Sequence, residues 1–516
     1  MRGTLKISAT FWLFGWSMTY LSRQSYNSSV YFSGAFFLSA SLTIACLFSD
    51  FFNLESRYDF QRFVLVIVIS FLPSLILMLE LFRNAYLNKY VSIIWLVPAL
   101  TVLVFSFINI DRYALFSLEG LMFALFLIFV SIVGVWVNKS GCFFGIVLAV
   151  IYGLTISSFF YSTSTILEYL FIIADGLDPE KMLPFGFGNV RQWSHIATWL
   201  IPLLPVTIMV GPLRSYRIWK AIVIVTATVW WWLIILSAAH GSFAAQALSF
   251  AAVLLIFRRK AIRWARIYLT FFFLGFGAWF LLSYLLPNIL FDSASEMEAS
   301  MADGLPARLI LWKEAFSMSL ANFPFGMGGQ SWLTHEPITE PFVNAEVKSF
   351  GAPHNMYLLW ASEYGWIFIL TLFFPAYFII RGVKRCYEVY CAQSNPLAHV
   401  LVGVVASLLA GLLHSGVSSV LLAPAGMIFG LMVFSIAWAF AVSYDDNIPS
   451  QKNKSFWVLM TTSTFLLGLF FLSGVVDYKV ESDRDRECFE KVGMSGYMPR
   501  FWYHGYFPNQ INYQCD

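Results

Sequence analysis

The sequence predicts an all-α integral membrane protein that crosses the membrane many times. Three observations support this fold class. Hydrophobic residues make up 59% of the 516 residues and charged residues only 12%, and the mean hydropathy is +0.71. Soluble domains are about half apolar and about a quarter charged. The apolar residues gather in blocks of about 20, the length of a membrane-spanning helix. Basic residues cluster between these blocks.

About thirteen apolar blocks qualify as transmembrane helices. They cover approximately residues 31–49, 63–82, 91–110, 114–137, 142–163, 193–211, 220–237, 242–257, 266–287, 356–380, 399–415, 420–443 and 456–476. Residues 7–22 are a weaker candidate without a cleavage-site pattern, and we interpret them as an interfacial or re-entrant segment rather than a signal peptide.

The distribution of Lys and Arg predicts the orientation. Four basic clusters fall on one side of the predicted topology, at residues 214–220, 258–266, 381–385 and 452–454. Positive charge marks the cytoplasmic side, so the N-terminus is expected inside and the C-terminus outside. Three arginines on the other side count against this assignment: Arg57, Arg62 and Arg112.

The predicted topology divides the chain into four parts. Residues 1–287 form an N-terminal transmembrane bundle, and 288–355 form a large external loop with short interfacial helices. Residues 356–476 form the C-terminal transmembrane helices, and 477–516 form an external tail. Cys488 and Cys515 lie in this tail. A disulfide between them and two free thiols are equally compatible with the sequence.

The motifs of soluble nucleotide-dependent and metal-dependent enzymes are missing from the sequence. It contains no Walker loop, no strand-associated dinucleotide fingerprint, no His-Glu-x-x-His and no Gly-x-Ser-x-Gly. Nucleotide cofactors are also not expected outside the cytoplasm. Chemistry on the external side would therefore use a substrate that is already activated.

Arg308 and His354 are the candidate working residues of the external loop. Arg308 begins a predicted surface helix over residues 307–320, where a guanidinium can bind a phosphate or diphosphate in two parallel hydrogen bonds. A contact with lipid headgroups would explain Arg308 equally well. His354 is expected in the first turn of the following helix, where the positive helix end favours a neutral imidazole. It is either a general base or a capping histidine.

The residues around these two candidates form a recognisable pattern. It consists of Arg308, Trp312, Pro324–Gly328, His354, Asn355, Tyr357, Leu358, Glu363 and Gly365. This pattern resembles the O-antigen ligase and O-antigen polymerase superfamily, with Asn355, Gly326, Gly328 and Glu363 as supporting positions.

The resemblance implies a glycosyltransferase of the bacterial inner membrane, with its active site facing the periplasm. Such enzymes transfer a glycan from an undecaprenyl diphosphate carrier to an acceptor hydroxyl, without a metal or cofactor. The resemblance implies that His354 activates the acceptor and that Arg308 contacts the carrier diphosphate. O-antigen ligation to the lipid A core is the expected reaction. The alternatives are an O-antigen or exopolysaccharide polymerase, a protein O-oligosaccharyltransferase and, outside the enzyme class, a lipid-linked oligosaccharide flippase.

One position departs from the family pattern. The family often has Ser-Arg-Gly at the outer end of a span before the long loop, where this sequence has Ala239-His240-Gly241-Ser242. His240 and Arg191 are the two candidates for the second cation that contacts the diphosphate. We favour Arg191, because arginine stays charged.

Overall fold

The computed structural model confirms an all-α fold in the residues that it describes. These are 25–52, 56–82, 89–107, 114–177, 179–187, 190–291, 304–344, 350–393, 395–443, 454–492 and 499–505. The α-helices are α1 (Ser25–Leu47), α2 (Arg57–Phe82), α3 (Lys89–Ser106), α4 (Ser117–Lys139), α5 (Phe143–Ala174), α6 (Pro179–Met182), α7 (Val190–Leu200), α8 (Leu204–Met209), α9 (Arg217–Leu236), α10 (His240–Phe257), α11 (Ile262–Trp279), α12 (Leu286–Phe291), α13 (Gly304–Ala321), α14 (Glu340–Val343), α15 (Met356–Ala392), α16 (Leu397–Ser415), α17 (Pro424–Ala441) and α18 (Lys454–Lys491).

Eleven helical segments of the described chain are long and apolar enough to cross a membrane. They confirm a polytopic membrane protein, whereas the predicted number of about thirteen spans stays a prediction. The block predicted at 91–110 is represented by α3, whose described apolar part covers only Ile94–Ser106. The weaker candidate at 7–22 and Arg112 lie outside the described residues.

The single span predicted over residues 193–211 is wrong in form. The chain there makes three short pieces: α7, a 3₁₀ turn over Ile201–Leu203, and α8. Pro202 and Pro205 cause this division, because a proline has no amide hydrogen and clashes with the preceding helical turn. The segment is nevertheless buried, with Ile201 and Leu204 fully covered by other helices. This broken segment begins at the turn that carries Arg191.

The core of the bundle lies around α4, α16 and α17, whose surfaces are mostly covered by other helices. Trp199 of the broken segment packs against Phe434 of α17. A Cβ on Gly411 of α16 would lie only 2.1 Å from the Trp199 ring. Small residues allow such close approach, and close packing holds helices together where lipid is as apolar as the side chains.

The C-terminal segment folds back into the bundle. The span predicted at 456–476 is part of α18, which continues to Lys491. The chain then returns, so that Phe501 and Trp502 are completely buried. Arg62, which the charge rule left unexplained, is also fully buried, and its guanidinium donates to the carbonyl oxygens of Phe501 at 2.8 Å and Leu422 at 2.6 Å.

Candidate functional site

The site is built on an interruption of α15. Gly365 has φ 81° and ψ 165°, a conformation that only glycine adopts freely, and it divides the helix after Tyr364. The loop Pro324–Gly328 crosses this interruption in close contact. A Cβ on Gly326 would lie 2.5 Å from the Gly365 nitrogen, and one on Gly365 would lie 2.3 Å from the Pro324 oxygen. Both glycines are therefore required by the crossing itself.

Backbone hydrogen bonds join this loop to the interrupted helix. The amide of Met327 donates to Ser362 O at 2.8 Å, and the amide of Gly328, at φ 95°, donates to Glu363 O at 2.9 Å. Carbonyls at a helix end have no partner within the helix, so the loop supplies their missing donors. The predicted supporting residues Gly326 and Gly328 thus fix the loop against the helix that follows His354.

Asn355 caps the N-terminus of α15. Its side-chain oxygen accepts from the amides of Tyr357 and Leu358, both at 3.1 Å. His354 therefore precedes the cap and is not in the first helical turn, where the sequence placed it. Its φ of 53° lies in the left-handed region. Such a conformation costs a non-glycine residue about 1–3 kcal/mol, so the surrounding contacts must hold it there.

The His354 ring contacts Arg191 directly. Arg191 Nη1 lies 3.1 Å from His354 Nε2, although the two residues are far apart in sequence. A guanidinium can only donate hydrogen bonds, so Nε2 must accept, and the imidazole is neutral with its proton on Nδ1. Phe350 packs edge-on against the other side of the ring, with the centroids 5.0 Å apart. The imidazole is partly buried and the Arg191 side chain is exposed.

The electrostatic surroundings keep His354 neutral. Burial, followed by the positive charges of Arg191 and Arg308, lowers the pKa of His354 from its ordinary 6.5 to about 3. The sequence predicted a neutral imidazole from the helix end, whereas burial and two arginines are the causes here. Although part of the Arg191 side chain is exposed, desolvation of its guanidinium, followed by the neighbouring charge of Arg308, lowers the pKa of Arg191. The three residues thus lie within one electrostatic environment.

Arg308 lies near the start of α13, which covers the predicted helix over 307–320. One side of this helix packs into the protein through Leu311, Ala315 and Met318. Another side leaves large apolar residues exposed: Leu309, Phe316 and Leu320. Arg308 is partly buried, and its charge reaches His354. The helix thereby brings a second guanidinium to the imidazole, on an element separate from the one that carries Arg191.

His240 is close to Arg191 in the fold but is not joined to it. It is the first residue of α10, and its side chain is exposed. The first turn of α10 packs on that of α7, because Ser242 Oγ donates to Ser194 O at 3.2 Å. In the described part of the chain, no hydrogen bond or ion pair joins the His240 ring to the other three candidates. Arg191, not His240, makes the contact with His354.

Glu363, the last supporting residue of the pattern, belongs to a buried ion cluster that the sequence did not reveal. Arg500 donates to Glu363 Oε2 at 2.5 Å and to Glu119 Oε2 at 2.7 Å, and all three side chains are at most 1% exposed. Arg500 also donates to the Gly351 carbonyl at 3.0 Å. Burial alone would lower the pKa of Arg500, but the charges of Glu119 and Glu363 outweigh it and raise the pKa.

The loop between α13 and α14 is fixed by a second buried carboxylate. Glu314 accepts hydrogen bonds from the amides of Ile338 and Thr339, at 2.6 and 2.8 Å, and from the Thr339 hydroxyl. Its oxygen also lies 3.0 Å from His335 Nε2. Burial raises the pKa of Glu314, but these hydrogen bonds outweigh burial and lower it. Glu314 and His335 thus fix the loop between α13 and α14.

The cysteines and possible metal ligands complete the inventory of reactive side chains. Cys488 is disulfide-bonded. Cys515, its expected partner, lies outside the described residues. The other four cysteines, all in described segments, are free thiols: Cys46, Cys142, Cys386 and Cys391. Among the described residues, no group of three His, Cys, Asp or Glu side chains is arranged to hold a metal ion.

The comparisons with known proteins agree with the motif pattern. No curated protein sequence matches the chain significantly. Residues 222–373 match the family described as O-antigen ligase. This stretch contains every predicted site residue except Arg191, and it excludes Glu119 and Arg500. The match confirms, on residues 222–373, that the chain carries a domain of the O-antigen ligase and polymerase superfamily.

Proposed function

We propose that the protein transfers a glycan from an undecaprenyl diphosphate carrier to an acceptor hydroxyl at the periplasmic face of the bacterial inner membrane. O-antigen ligation to the lipid A core is the first candidate reaction. The observation that carries the proposal is the contact between Arg191 and His354, with Arg308 nearby. A neutral imidazole that contacts one guanidinium and feels the charge of a second provides a base and an anion site in one place.

The proposed reaction is a direct displacement at the anomeric carbon. The acceptor hydroxyl gives its proton to His354 Nε2 while its oxygen forms the new glycosidic bond. The bond from the anomeric carbon to the diphosphate breaks, and the electron pair leaves with the diphosphate. Arg191 and Arg308 stabilise the charge that develops on this leaving group. The configuration at the anomeric carbon is inverted, and His354 returns its proton to water.

Donor binding prepares the base in this scheme. Without donor, Arg191 occupies the Nε2 lone pair, and the two positive charges lower the pKa of His354 to about 3. A bound diphosphate attracts Arg191 away from Nε2 and neutralises both guanidiniums. The lone pair becomes accessible, and the pKa of His354 rises because the nearby positive charge is cancelled. The base is therefore activated only when a donor is present.

The surface of α13 suits a substrate that is anchored in lipid. Its exposed apolar residues, such as Leu309 and Phe316, lie on the same helix as Arg308. An interfacial helix buries such residues at the boundary of headgroups and acyl chains. Arg308 would then lie at the height of the carrier diphosphate. The basic clusters on the opposite side of the predicted topology support the periplasmic assignment.

An acceptor test would decide among the members of the superfamily. Purified protein would receive carrier-linked glycan together with lipid A core, a second carrier-linked unit or a hydroxyl-bearing protein. We expect transfer to the lipid A core by the wild type and none by His354→Ala. Transfer to another acceptor would replace the ligase assignment with a polymerase or a protein glycosyltransferase. Carrier movement across the bilayer without transfer would support the flippase instead.

A further inference from the structure

The C-terminal segment at residues 499–505 inserts a cation behind the proposed active site. Arg500 is 1% exposed and contacts three separate parts of the fold: Glu119 on α4, Glu363 on α15 and the carbonyl of Gly351. Gly351 precedes His354 by three residues. A single guanidinium therefore joins the helix before the interruption of α15, a core helix and the segment that leads into His354.

Glu363 extends this connection to Trp332, in the turn that follows the loop crossing α15. Its other carboxylate oxygen accepts from the amide of Trp332 at 3.2 Å. Trp332 in turn donates its indole hydrogen to Phe350 O at 2.8 Å. Phe350 packs on the His354 ring. The segment from Phe350 to His354 is thus held from two sides, directly by Arg500 and indirectly through Glu363 and Trp332.

The C-terminal segment is itself anchored, so Arg500 has a defined position. Tyr58 donates its hydroxyl hydrogen to Arg500 O at 2.6 Å. The amide of Tyr503 donates to Asp59 Oδ1 at 2.7 Å, and His504 Nε2 lies 2.7 Å from Asp485 Oδ2. Arg62 donates to the Phe501 carbonyl. These contacts come from α2 and α18.

His354 needs this kind of support, because its backbone is in the left-handed region and its ring must meet Arg191. A residue in such a conformation persists only when its surroundings over-determine it. Within the described part of the chain, Arg500 is also the cation that contacts both Glu363 and Gly351. Its guanidinium donates through Nε, Nη1 and Nη2 to Glu119, Gly351 and Glu363, a spread of donors that a lysine ammonium does not have.

We propose that Arg500 is a positioning residue for His354, and that the C-terminal segment is therefore an integral part of the active site. This proposal rests on the proposed function for its catalytic consequence. Its structural content, that Arg500 holds His354 against Arg191 and Arg308, does not depend on glycan transfer.

The test measures the protonation of His354 without using catalysis. NMR of the full chain with isotope-labelled histidine reports the titration of each imidazole, and the His354 signal is assigned by its absence from His354→Ala. In the wild type, we expect no protonation of His354 as the pH falls from 8 to about 5, because burial and the two arginines lower its pKa to about 3. In Arg500→Lys, His354 leaves the two arginines, and its titration midpoint is expected to rise toward the ordinary value of 6.5.

Transfer kinetics supply the second measurement, with Arg484→Lys as the matched control. Arg484 is exposed and pairs with Glu481 on α18, so its substitution is expected to change neither measurement. In Arg500→Lys, we expect kcat to fall about tenfold or more, with the KM for the donor unchanged. The reason is that displacing a catalytic group by about 1 Å can reduce a rate about 100-fold. A role in folding alone would lower the folded fraction and leave the titration of His354 unchanged.

If Arg500→Lys does not fold, Glu119→Gln tests the positioning role of Arg500 instead. This variant leaves one arginine opposite one carboxylate, Glu363, and removes the partner that orients the guanidinium. The proposal predicts a shift of the His354 titration in the same direction, by a smaller amount. A folded variant of either kind with wild-type titration and wild-type kcat would overturn the positioning role. An inactive wild type with the expected titrations would overturn only the proposed function.

Discussion

Arg191 and Arg500 both contact the segment around His354, but they do so in opposite surroundings. Arg191 is exposed, and its contact on His354 is a neutral imidazole. Arg500 is fully buried, and its partners are two carboxylates. An exposed guanidinium can be reached by an incoming anion. A guanidinium between two carboxylates is already neutralised and serves to hold the fold.

The contrast between Arg191 and Arg500 predicts its largest effect on the free energy of unfolding. Arg500→Met should lower the free energy of unfolding by about 3–5 kcal/mol, because two buried carboxylates would lose their cation. Arg191→Met should change it by less than about 1 kcal/mol, because exposed charges contribute little. The apparent melting temperatures of both variants in one detergent would measure the difference. Equal losses would remove the distinction between the two arginines.

For the reaction of the donor, we expect Arg191 to contribute much more than His240. Arg191→Ala should reduce kcat about 10²–10³-fold, the usual effect of removing one group that stabilises developing negative charge. His240→Ala should retain most activity, because its ring does not join His354 or the arginines. Initial rates under saturating donor would show this. A severe loss in His240→Ala alone would assign the second cation to His240.

Arg308→Lys tests whether Arg308 binds the diphosphate through two parallel hydrogen bonds. The substitution keeps the charge but removes the second parallel hydrogen bond. Loss of one charge-assisted hydrogen bond, about 1.5 kcal/mol, corresponds to about a tenfold fall in kcat/KM. Steady-state kinetics with varied donor would measure it. Unchanged kinetics would mean that Arg308 has a structural or lipid-contacting role.

A pH profile tests the electrostatic part of the comparison. Neutral His354 is the active form, and its lowered pKa moves the acidic limit of kcat/KM in the free enzyme to about pH 3. In Arg191→Gln, one positive charge is absent, so the pKa rises and the acidic limit moves to higher pH. The residual activity of the variant would be followed between pH 4 and 8. An unshifted limit would show that Arg191 does not control the proton affinity of His354.

The sequence predicted the residues around His354 but did not reveal Arg500. Arg308, His354 and Asn355 lie within a local pattern, and helical spacing predicted α13 correctly. Arg500 lies in a polar segment with no local pattern, and its partner Glu119 is 381 positions away. A contact over that separation leaves no local pattern in a single sequence. The available clue was Glu119 itself, a carboxylate within an apolar block, where charged groups are expensive and therefore paired.

The broken segment that carries Arg191 shows a different limit. Hydropathy identified residues 193–211 as one apolar span, and the structure shows the segment buried but divided. Hydropathy does not distinguish a continuous helix from a divided one. Pro202 and Pro205 were the local signal for the division. The contact between Arg191 and His354 could not be predicted, because it depends on how two helix ends approach each other in three dimensions.

The most direct test of the account is a single-turnover measurement with carrier-linked glycan bound in advance. We predict that His354→Ala binds the donor with wild-type affinity but transfers the glycan about 10²–10⁴-fold more slowly, the contribution of a positioned general base. His399→Ala, on the side predicted to be cytoplasmic, should transfer at the wild-type rate. Wild-type transfer by His354→Ala would contradict the proposed role of His354 and, with it, the central claim.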